Sequence, residues 1–191
     1  MSGSKGTQVR HCSLHALVCL RRTDFGTITI LWSQPVGGLQ IRTPEGEWKW
    51  VRHIDNALVR NMNRLVTAEN LTFCLQVVNS GDMLGIFTGG YYKPTIHRVV
   101  QPPKDQRNCD RLSVIYFTYP DNDVRLLPLI ESPVLQRVGI ERRCPDEDAP
   151  LCETWRKERT MAYSDTTHTK KGMERDVEEE VIEGIVVKNY N

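Results

Sequence analysis

The sequence has little charge bias, no long apolar run and no paired-cysteine motif. Lysine and arginine number 25 against 24 aspartate and glutamate, a formal net charge of +1. This balance suggests neither a basic surface for nucleic acid nor a solvated acidic tail, so we expect no nucleic-acid partner. No apolar run approaches the roughly 18 residues of a membrane span, so we expect no membrane partner. The apolar stretch Leu14–Leu20 is interrupted by His15, which makes it a poor signal peptide.

The cysteines exclude two common small-domain motifs. None of the six forms a Cys-x-x-Cys pair, so the sequence does not indicate a zinc ribbon or a thioredoxin-like site. Their irregular scatter fits reduced thiols, and we therefore expect a cytoplasmic protein. The length of 191 residues is enough for one domain with a sizeable core.

What the sequence does contain is a series of short segments with strand character. Thr27–Trp32 is rich in β-branched and aromatic residues, and Leu112–Tyr119 is the strongest segment of this kind. Shorter segments of the same type are Leu39–Arg42, Trp48–Val51, Val77–Asn79 and Ile96–Val100. Many short strands between turn signals predict a mainly β protein, either an antiparallel sandwich or a jelly roll.

The last third of the chain has a different character. Asp146–Tyr163 is predicted to form a helix, because Trp155 and Arg159 follow helical spacing and Pro150 lies near the start. Ser164–Arg175 is polar and is predicted to be an exposed loop. Residues 177–191 begin with an acidic turn and then become apolar, which predicts a short element that docks on the domain.

Three short motifs carry the candidate chemistry. Asp24 lies in Arg22-Thr23-Asp24-Phe25-Gly26, before the first strong strand. His97 lies in Tyr92–Val100, and Arg111-Leu112-Ser113 opens the strongest strand. Taken singly each motif is weak, because an Asp before a strand is usually a turn or cap residue and a strand His is more often structural.

In this order the three motifs resemble the iron(II)/2-oxoglutarate-dependent dioxygenase superfamily, in the branch that includes isopenicillin N synthase. That family has His-Thr-Asp-x-Gly, then a distal His followed by Arg-Val, then Arg-x-Ser. The flanking segments that also match are Phe25–Leu31, Gly38–Ile41, Gly46–Trp48 and Tyr92–Val100. The resemblance implies a double-stranded β-helix, or jelly roll, which would be incomplete here and carry a C-terminal helical extension.

The resemblance also implies the roles of individual residues. Asp24 and His97 would be ligands of iron(II), a metal that two histidines and one carboxylate bind while leaving positions open. Arg111 and Ser113 would bind the distal carboxylate of the co-substrate 2-oxoglutarate, since a planar guanidinium suits a carboxylate. The implied reaction is the hydroxylation or desaturation of a small-molecule substrate by O2, coupled to the decarboxylation of 2-oxoglutarate to succinate.

The chain departs from the family at the proximal histidine and at its N-terminus. Arg22 occupies the histidine position, and a guanidinium has only donors and cannot ligate iron. His53 is a conceivable substitute, without family precedent. The family's N-terminal half is absent, and residues 1–21 resemble none of it. The sheet is therefore expected to have uncovered apolar surface or an unpaired edge.

An insertion is the third departure. Val59–Gln76 separates Leu58 from Val77, and its removal would restore the strand that the family has at this place. Val59-Arg60 can be encoded as a splice donor and Gln76 as a splice acceptor, so we interpret the segment as a translated intron. The alternative is an inserted surface loop, which a protein tolerates at modest entropic cost. Either way we expect a loop or irregular helix outside the barrel.

The sequence therefore divides into a non-family segment 1–21, a dioxygenase core 22–120 that includes the insertion, and a C-terminal extension 121–191. The first hypothesis for function is an iron(II)/2-oxoglutarate dioxygenase domain that is truncated and impaired by Arg22. The alternative is a non-catalytic remnant that acts as a binding or interaction domain. A third hypothesis is a gene-model fragment that does not fold stably.

Overall fold

The computed structural model describes residues 7–11, 22–54, 58–61, 76–164, 177–182 and 185–190. Strands predominate among the regular elements, so the predicted mainly β architecture is confirmed. The strands are β1 (Thr7–His11), β2 (Ile28–Trp32), β3 (Leu39–Arg42), β4 (Trp48–Trp50), β5 (Leu58–Asn61), β6 (Gln76–Ser80), β7 (His97–Val99), β8 (Leu112–Phe117), β9 (Val177–Ile182) and β10 (Ile185–Tyr190). The helices are α1 (Asp82–Phe87), α2 (Pro133–Val138) and α3 (Cys152–Ser164).

The strands form three sheets. The largest has the order β1-β8-β2-β6-β5, and all its pairs are antiparallel except β5 with β6. The second sheet has the order β4-β3-β7, and β9 and β10 form an antiparallel hairpin. No helix in the described part of the chain is long and apolar enough to cross a membrane.

The strands that the sequence predicts most strongly are confirmed. Thr27–Trp32 and Leu112–Tyr119 correspond to β2 and β8, neighbours in the large sheet. The segments predicted at Leu39–Arg42 and Ile96–Val100 correspond to β3 and β7, which pair in the second sheet. Segments that alternate apolar and polar residues therefore became strands in both sheets.

The C-terminal helix begins later than predicted. Asp146–Asp148 forms a 3-10 turn, and the α-helix starts at Cys152. Ala149 is extended, with φ −63° and ψ 123°, because a residue before proline avoids the helical region. Pro150 therefore separates the turn from the helix. The predicted loop Ser164–Arg175 lies, apart from Ser164 at the end of α3, outside the described residues.

Two other expectations are corrected by the strands. Val59–Asn61 belongs to the edge strand β5 and Gln76 opens β6, so the expected loop or irregular helix is wrong for these residues. Residues 62–75 lie outside the described part. Residues 177–180 belong to β9 and not to an acidic turn, since Glu178, Glu179 and Glu180 each pair with β10.

The main hydrophobic cluster lies between helix α1 and the C-terminal extension. Its buried members come from α1, from the loop after β8, from α3 and from β10: Met83, Ile86, Leu126, Cys152, Trp155 and Ile185. Ile185 is fully buried, so the C-terminal element docks on the domain as predicted. Helix α1 therefore starts beside the ends of β2 and β6 and packs against α3.

Candidate metal and co-substrate site

Asp24 and His97 lie side by side, as the sequence motifs predict. The distance from His97 Nε2 to Asp24 Oδ1 is 3.6 Å, and both side chains are largely buried. Two ligands of one metal ion each lie roughly 2 Å from it, so their donor atoms can be at most about 4 Å apart. The pair satisfies this limit.

The other ring nitrogen of His97 determines which atom faces Asp24. Nδ1 lies 3.0 Å from the backbone oxygen of Thr95. A carbonyl oxygen only accepts, so Nδ1 donates, and Nε2 is the ring nitrogen that faces Asp24. Nε2 and Asp24 Oδ1 are close enough together to bind one cation between them. A histidine whose second nitrogen donates to a carbonyl is typical of metal ligands.

Asp24 is held by its side chain and by its backbone. Asn79 Nδ2 donates to Asp24 Oδ2 at 2.8 Å, which leaves Oδ1 towards His97. The backbone oxygen of Asp24 accepts from Asp82 N at 2.7 Å, and that of Gly26 accepts from Met83 N at 3.0 Å. The first turn of α1 therefore fixes the loop that carries Asp24.

Arg22 stands beside His97, where the third donor is expected. The two residues form an isolated antiparallel bridge, with Arg22 N to His97 O at 3.0 Å and His97 N to Arg22 O at 2.9 Å. Directly opposed residues place their side chains on the same face. Within the described ranges, no group of three His, Cys, Asp or Glu that could hold a metal is present.

His53 does not replace the missing histidine. Its Nδ1 forms a hydrogen bond with Ser33 Oγ at 2.8 Å. Ser33 directly follows β2, beyond Trp32, whereas Asp24 precedes the same strand. The two residues therefore lie at opposite ends of β2, and the substitute that the sequence left open has no support in the structure.

Arg111 and Ser113 form the second part of the site. Arg111 Nη1 donates to Ser113 Oγ at 2.8 Å, so the two side chains lie on one face at the start of β8. Arg111 also packs against Gly38, where a β-carbon would lie 3.0 Å from Arg111 Nε. Gly38 O accepts from Val100 N at 2.8 Å. The guanidinium is thus placed beside the end of β7, the strand that carries His97.

Strand register connects the two parts of the site. Thr29 of β2 is opposite Asn79 of β6 and Phe117 of β8, so these three side chains share one face of the large sheet. Ser113 lies on the same face of β8 by alternation. The residue that holds Asp24 and the residue bonded to Arg111 therefore belong to one sheet face. That all these groups open into one cavity remains a prediction.

A buried ion pair that no sequence motif predicts lies behind the Asp24 loop. Arg159 Nη2 is 3.1 Å from Asp82 Oδ2, and both side chains are almost completely buried. Burial raises the pKa of Asp82, against the charge of Arg159 and a hydrogen bond from Thr23, which lower it. Trp155 Nε1 also donates to Phe25 O at 3.4 Å. Helix α3 therefore supports the loop from behind.

Asn79 and Thr95 are the site residues that the motifs did not single out. Asn79 lies at the end of Val77–Asn79, a segment that the sequence predicts as a strand. Its amide could be assigned to Asp24 only once the register of β2 and β6 was known. The contribution of Thr95 is a backbone oxygen, which no side-chain pattern reports.

A carboxylate and an imidazole with supporting hydrogen bonds, together with an arginine–serine pair on the same sheet, are compatible with a metal-dependent enzyme that binds a carboxylate co-substrate. Residues 70–120 match the family described as the 2OG-Fe(II) oxygenase superfamily. The chain is 35% identical over 139 residues to the 2-oxoglutarate-dependent dioxygenase citB of Monascus ruber, covering 72% of this chain and 33% of that protein. It is 31% identical to scopoletin 8-hydroxylase of Arabidopsis thaliana, covering 64% of this chain and 28% of that protein.

The fold comparison agrees with the sequence comparison. The structure of Neurospora crassa T7H in complex with alpha-KG and 5-formyluracil matches with a TM-score of 0.55 and 25% identity, over 78% of this chain and 40% of that one. The resemblance is therefore confirmed, and the chain belongs to the 2OG-Fe(II) oxygenase superfamily. The matched region spans about a third of the length of the curated relatives.

Iron(II) and 2-oxoglutarate are the metal and the co-substrate of this superfamily. Asp24 Oδ1 and His97 Nε2 suit iron(II), because a carboxylate and an imidazole are the donor types of such centres. Arg22 does not suit it, since a guanidinium offers no lone pair. The donor set in the described residues is therefore incomplete by one ligand.

Proposed function

We propose that this chain forms part of an oxygenase that uses iron(II), 2-oxoglutarate and O2 to oxidise a small molecule, with its metal centre weakened by Arg22. The observation that carries the proposal is the Asp24–His97 pair, 3.6 Å apart, with the second nitrogen of His97 bonded to Thr95 O. In metal sites the second nitrogen of a ligating histidine usually donates to a carbonyl or a carboxylate, as Nδ1 of His97 does to Thr95 O.

The proposal includes the fold and the chain organisation predicted above. The large sheet and the sheet formed by β4, β3 and β7 would be the two halves of an incomplete double-stranded β-helix, with residues 22–120 as its core. The bridge from Arg22 to His97 supports this arrangement, because it joins the entry to β2 in one sheet to β7 in the other. Residues 121–191 would be an extension that supports the core.

The chain's own residues would divide the binding of the metal and the co-substrate. Asp24 and His97 would hold iron(II), and Arg111 with Ser113 would orient the far carboxylate of 2-oxoglutarate by charge-assisted hydrogen bonds. The metal and co-substrate together supply oxidation of a C–H bond by O2. Because the third donor position does not fit the metal, we derive no reaction step through it.

The substrate is proposed only at the level of a small organic molecule. The names of the relatives indicate different reactions, among them the 8-hydroxylation of scopoletin and the oxidation of 1-aminocyclopropane-1-carboxylate. One fold therefore serves many substrates in this superfamily. The region shared with those relatives is a minor part of their length.

The experiment is an anaerobic iron(II) titration in the presence of 2-oxoglutarate, comparing the chain with its Arg22→His variant. Because the 22–97 bridge directs the side chain towards the pair, histidine at position 22 should supply the missing donor. We expect affinity to rise on the order of a hundredfold, since even the loss of a supporting partner of a ligand costs about 10- to 100-fold.

Arg22→Ala is the matched control, because it removes the charge without adding a donor. It should tighten binding far less than Arg22→His. Equal affinity of the two variants would show that only the charge matters, and tight binding by the unsubstituted chain would show that Arg22 is outside the ligand position. Absence of binding by all three, with folding verified by circular dichroism, would favour the non-catalytic remnant.

A further inference from the structure

Arg22 is fixed by its backbone beside the imidazole of the candidate metal site. Arg22 and His97 exchange two backbone hydrogen bonds, at 3.0 and 2.9 Å, as the residues of an antiparallel pair do. The α-carbons of such a pair are about 5.5 Å apart, and the two side chains leave on the same face. Because the His97 ring faces Asp24, the Arg22 side chain starts on the side where the metal position is expected.

A guanidinium at this place opposes a metal ion and suits a carboxylate. It stays protonated and has five N–H donors but no lone pair, so it repels a cation and cannot coordinate one. The same planar donors match the two oxygens of a carboxylate, which they bind by paired, charge-assisted hydrogen bonds. Arg22 is only partly buried, so part of its side chain is accessible to a ligand. The disagreement between Arg22 and the metal therefore indicates an anion.

A second guanidinium lies further along β7. Val100 N donates to Gly38 O at 2.8 Å, and a β-carbon at Gly38 would lie 3.0 Å from Arg111 Nε. Val100 is three residues beyond His97, which is roughly 10 Å along an extended chain. Two long side chains that start from places at this separation can hold the two ends of a short dicarboxylate.

We propose that this chain binds a short dicarboxylate, such as 2-oxoglutarate or succinate, without a metal ion, and that Arg22 holds the end nearer His97. Arg111 holds the other end, and in this respect the inference rests on the proposed function. Arg22 supplies by hydrogen bonds the positive charge that a metal ion supplies by coordination. It also offsets the charge of Asp24, which would otherwise repel the ligand.

The test measures the dissociation constants of 2-oxoglutarate and succinate by isothermal titration, first in EDTA and then anaerobically with iron(II). The native chain is compared with Arg22→Gln, which removes the charge, and with Arg22→His. Arg42→Gln is the matched control. Arg42 is also partly buried, and it follows Ile41, which is paired with His97. By alternation its side chain leaves on the opposite face. Circular dichroism verifies the folding of each variant.

The native chain should bind both dicarboxylates in EDTA, with an affinity that iron(II) does not change. Arg22→Gln should weaken this binding about tenfold or more, since a hydrogen bond to a charged group is lost. Arg42→Gln should bind as the native chain does. Arg22→His should bind weakly in EDTA and recover with iron(II), then preferring 2-oxoglutarate because its oxo oxygen is a further donor for a metal ion.

Two outcomes would overturn the inference while the proposed function stands. One is binding by the native chain only when iron(II) is present, and the other is undiminished binding by Arg22→Gln in EDTA. If the native chain binds in EDTA through Arg22 but Arg22→His gains nothing from iron(II), the inference stands and the proposed metal centre fails. Folded chains that bind neither dicarboxylate under any condition would contradict both.

Discussion

At the scale of single residues, Gly38 and Arg111 show how little space surrounds the candidate carboxylate-binding group. Gly38 has a φ of +150°, and a β-carbon there would lie 3.0 Å from Arg111 Nε and 3.3 Å from Val100 O. A side chain is disfavoured at this φ and would also displace the guanidinium. The position of Arg111 therefore depends on a glycine that is distant in sequence.

Gly38→Ala should weaken 2-oxoglutarate binding about tenfold or more, because Arg111 can no longer keep its place beside Ser113. The magnitude follows from losing a hydrogen bond to a charged group. Gly37→Ala is the control, since its β-carbon would meet Pro103 and Gln106 and not Arg111. Isothermal titration of both variants measures the effect, and equal affinities would show that Gly38 does not position Arg111.

Four residues of the candidate site could be predicted from the sequence at this scale. Asp24, His97, Arg111 and Ser113 were predicted from motif order, and the structure brings the first two together and bonds the last two. Asn79 required the register of the sheet, because its partner Asp24 lies far from it in sequence.

At the scale of elements, α3 supports the Asp24 loop through the buried pair of Arg159 and Asp82. Its other buried residues on the same side, Cys152 and Trp155, pack in the main cluster. Helical spacing of Trp155 and Arg159 predicted this helix from the sequence. It did not predict a buried arginine, since arginine is rarely buried unless it is paired.

Arg159→Met should destabilise the chain by about 3–5 kcal/mol, because it leaves the Asp82 carboxylate buried without its cation. Arg156→Met on the same helix removes an exposed hydrogen bond to Asn122 and should cost less than about 1 kcal/mol. Urea unfolding measures both. The double variant Asp82→Asn with Arg159→Met should recover part of the lost stability. Equal losses of stability in Arg159→Met and Arg156→Met would argue against the buried pair.

Element prediction succeeded where local pattern and tertiary context agree. Strands β2, β3, β7 and β8 have β-branched residues or alternation, and each pairs in a sheet. Helix α1 was missed because six residues with Gly85 inside have little intrinsic helical preference. The β9 strand was missed because Glu178, Glu179 and Glu180 suggest a solvated turn until the pairing with β10 is known.

At the scale of the whole molecule, β5 is the only parallel strand of the large sheet within the described ranges. It lies at the edge, and its connection to β6 falls outside the described residues. Without β5 and its connection, the remaining order β1-β8-β2-β6 is wholly antiparallel. The edge position of β5 is compatible with the hypothesis that Val59–Gln76 is a translated intron.

Deletion of Val59–Gln76 should leave a chain that unfolds cooperatively with a Tm no lower than before. Leu58 would then directly precede Val77 and take the place of Gln76 opposite Trp32. Trp32 is exposed, and the new pairing would give its side chain an apolar neighbour. Differential scanning calorimetry measures this, and sequencing the transcript across codons 59–76 tests the splicing hypothesis itself. Loss of cooperative unfolding would show that β5 is integral to the sheet.

The bridge between residues 22 and 97 has a consequence for which ion such a centre would select. Both of its hydrogen bonds are made by backbone atoms, so the frame that presents position 22 to Asp24 and His97 does not depend on the side chain there. Thiolates favour soft ions and carboxylates favour hard ones. A single substitution at residue 22 would therefore change whether the donor atoms favour hard or soft metal ions. The backbone that positions these donor atoms would stay the same.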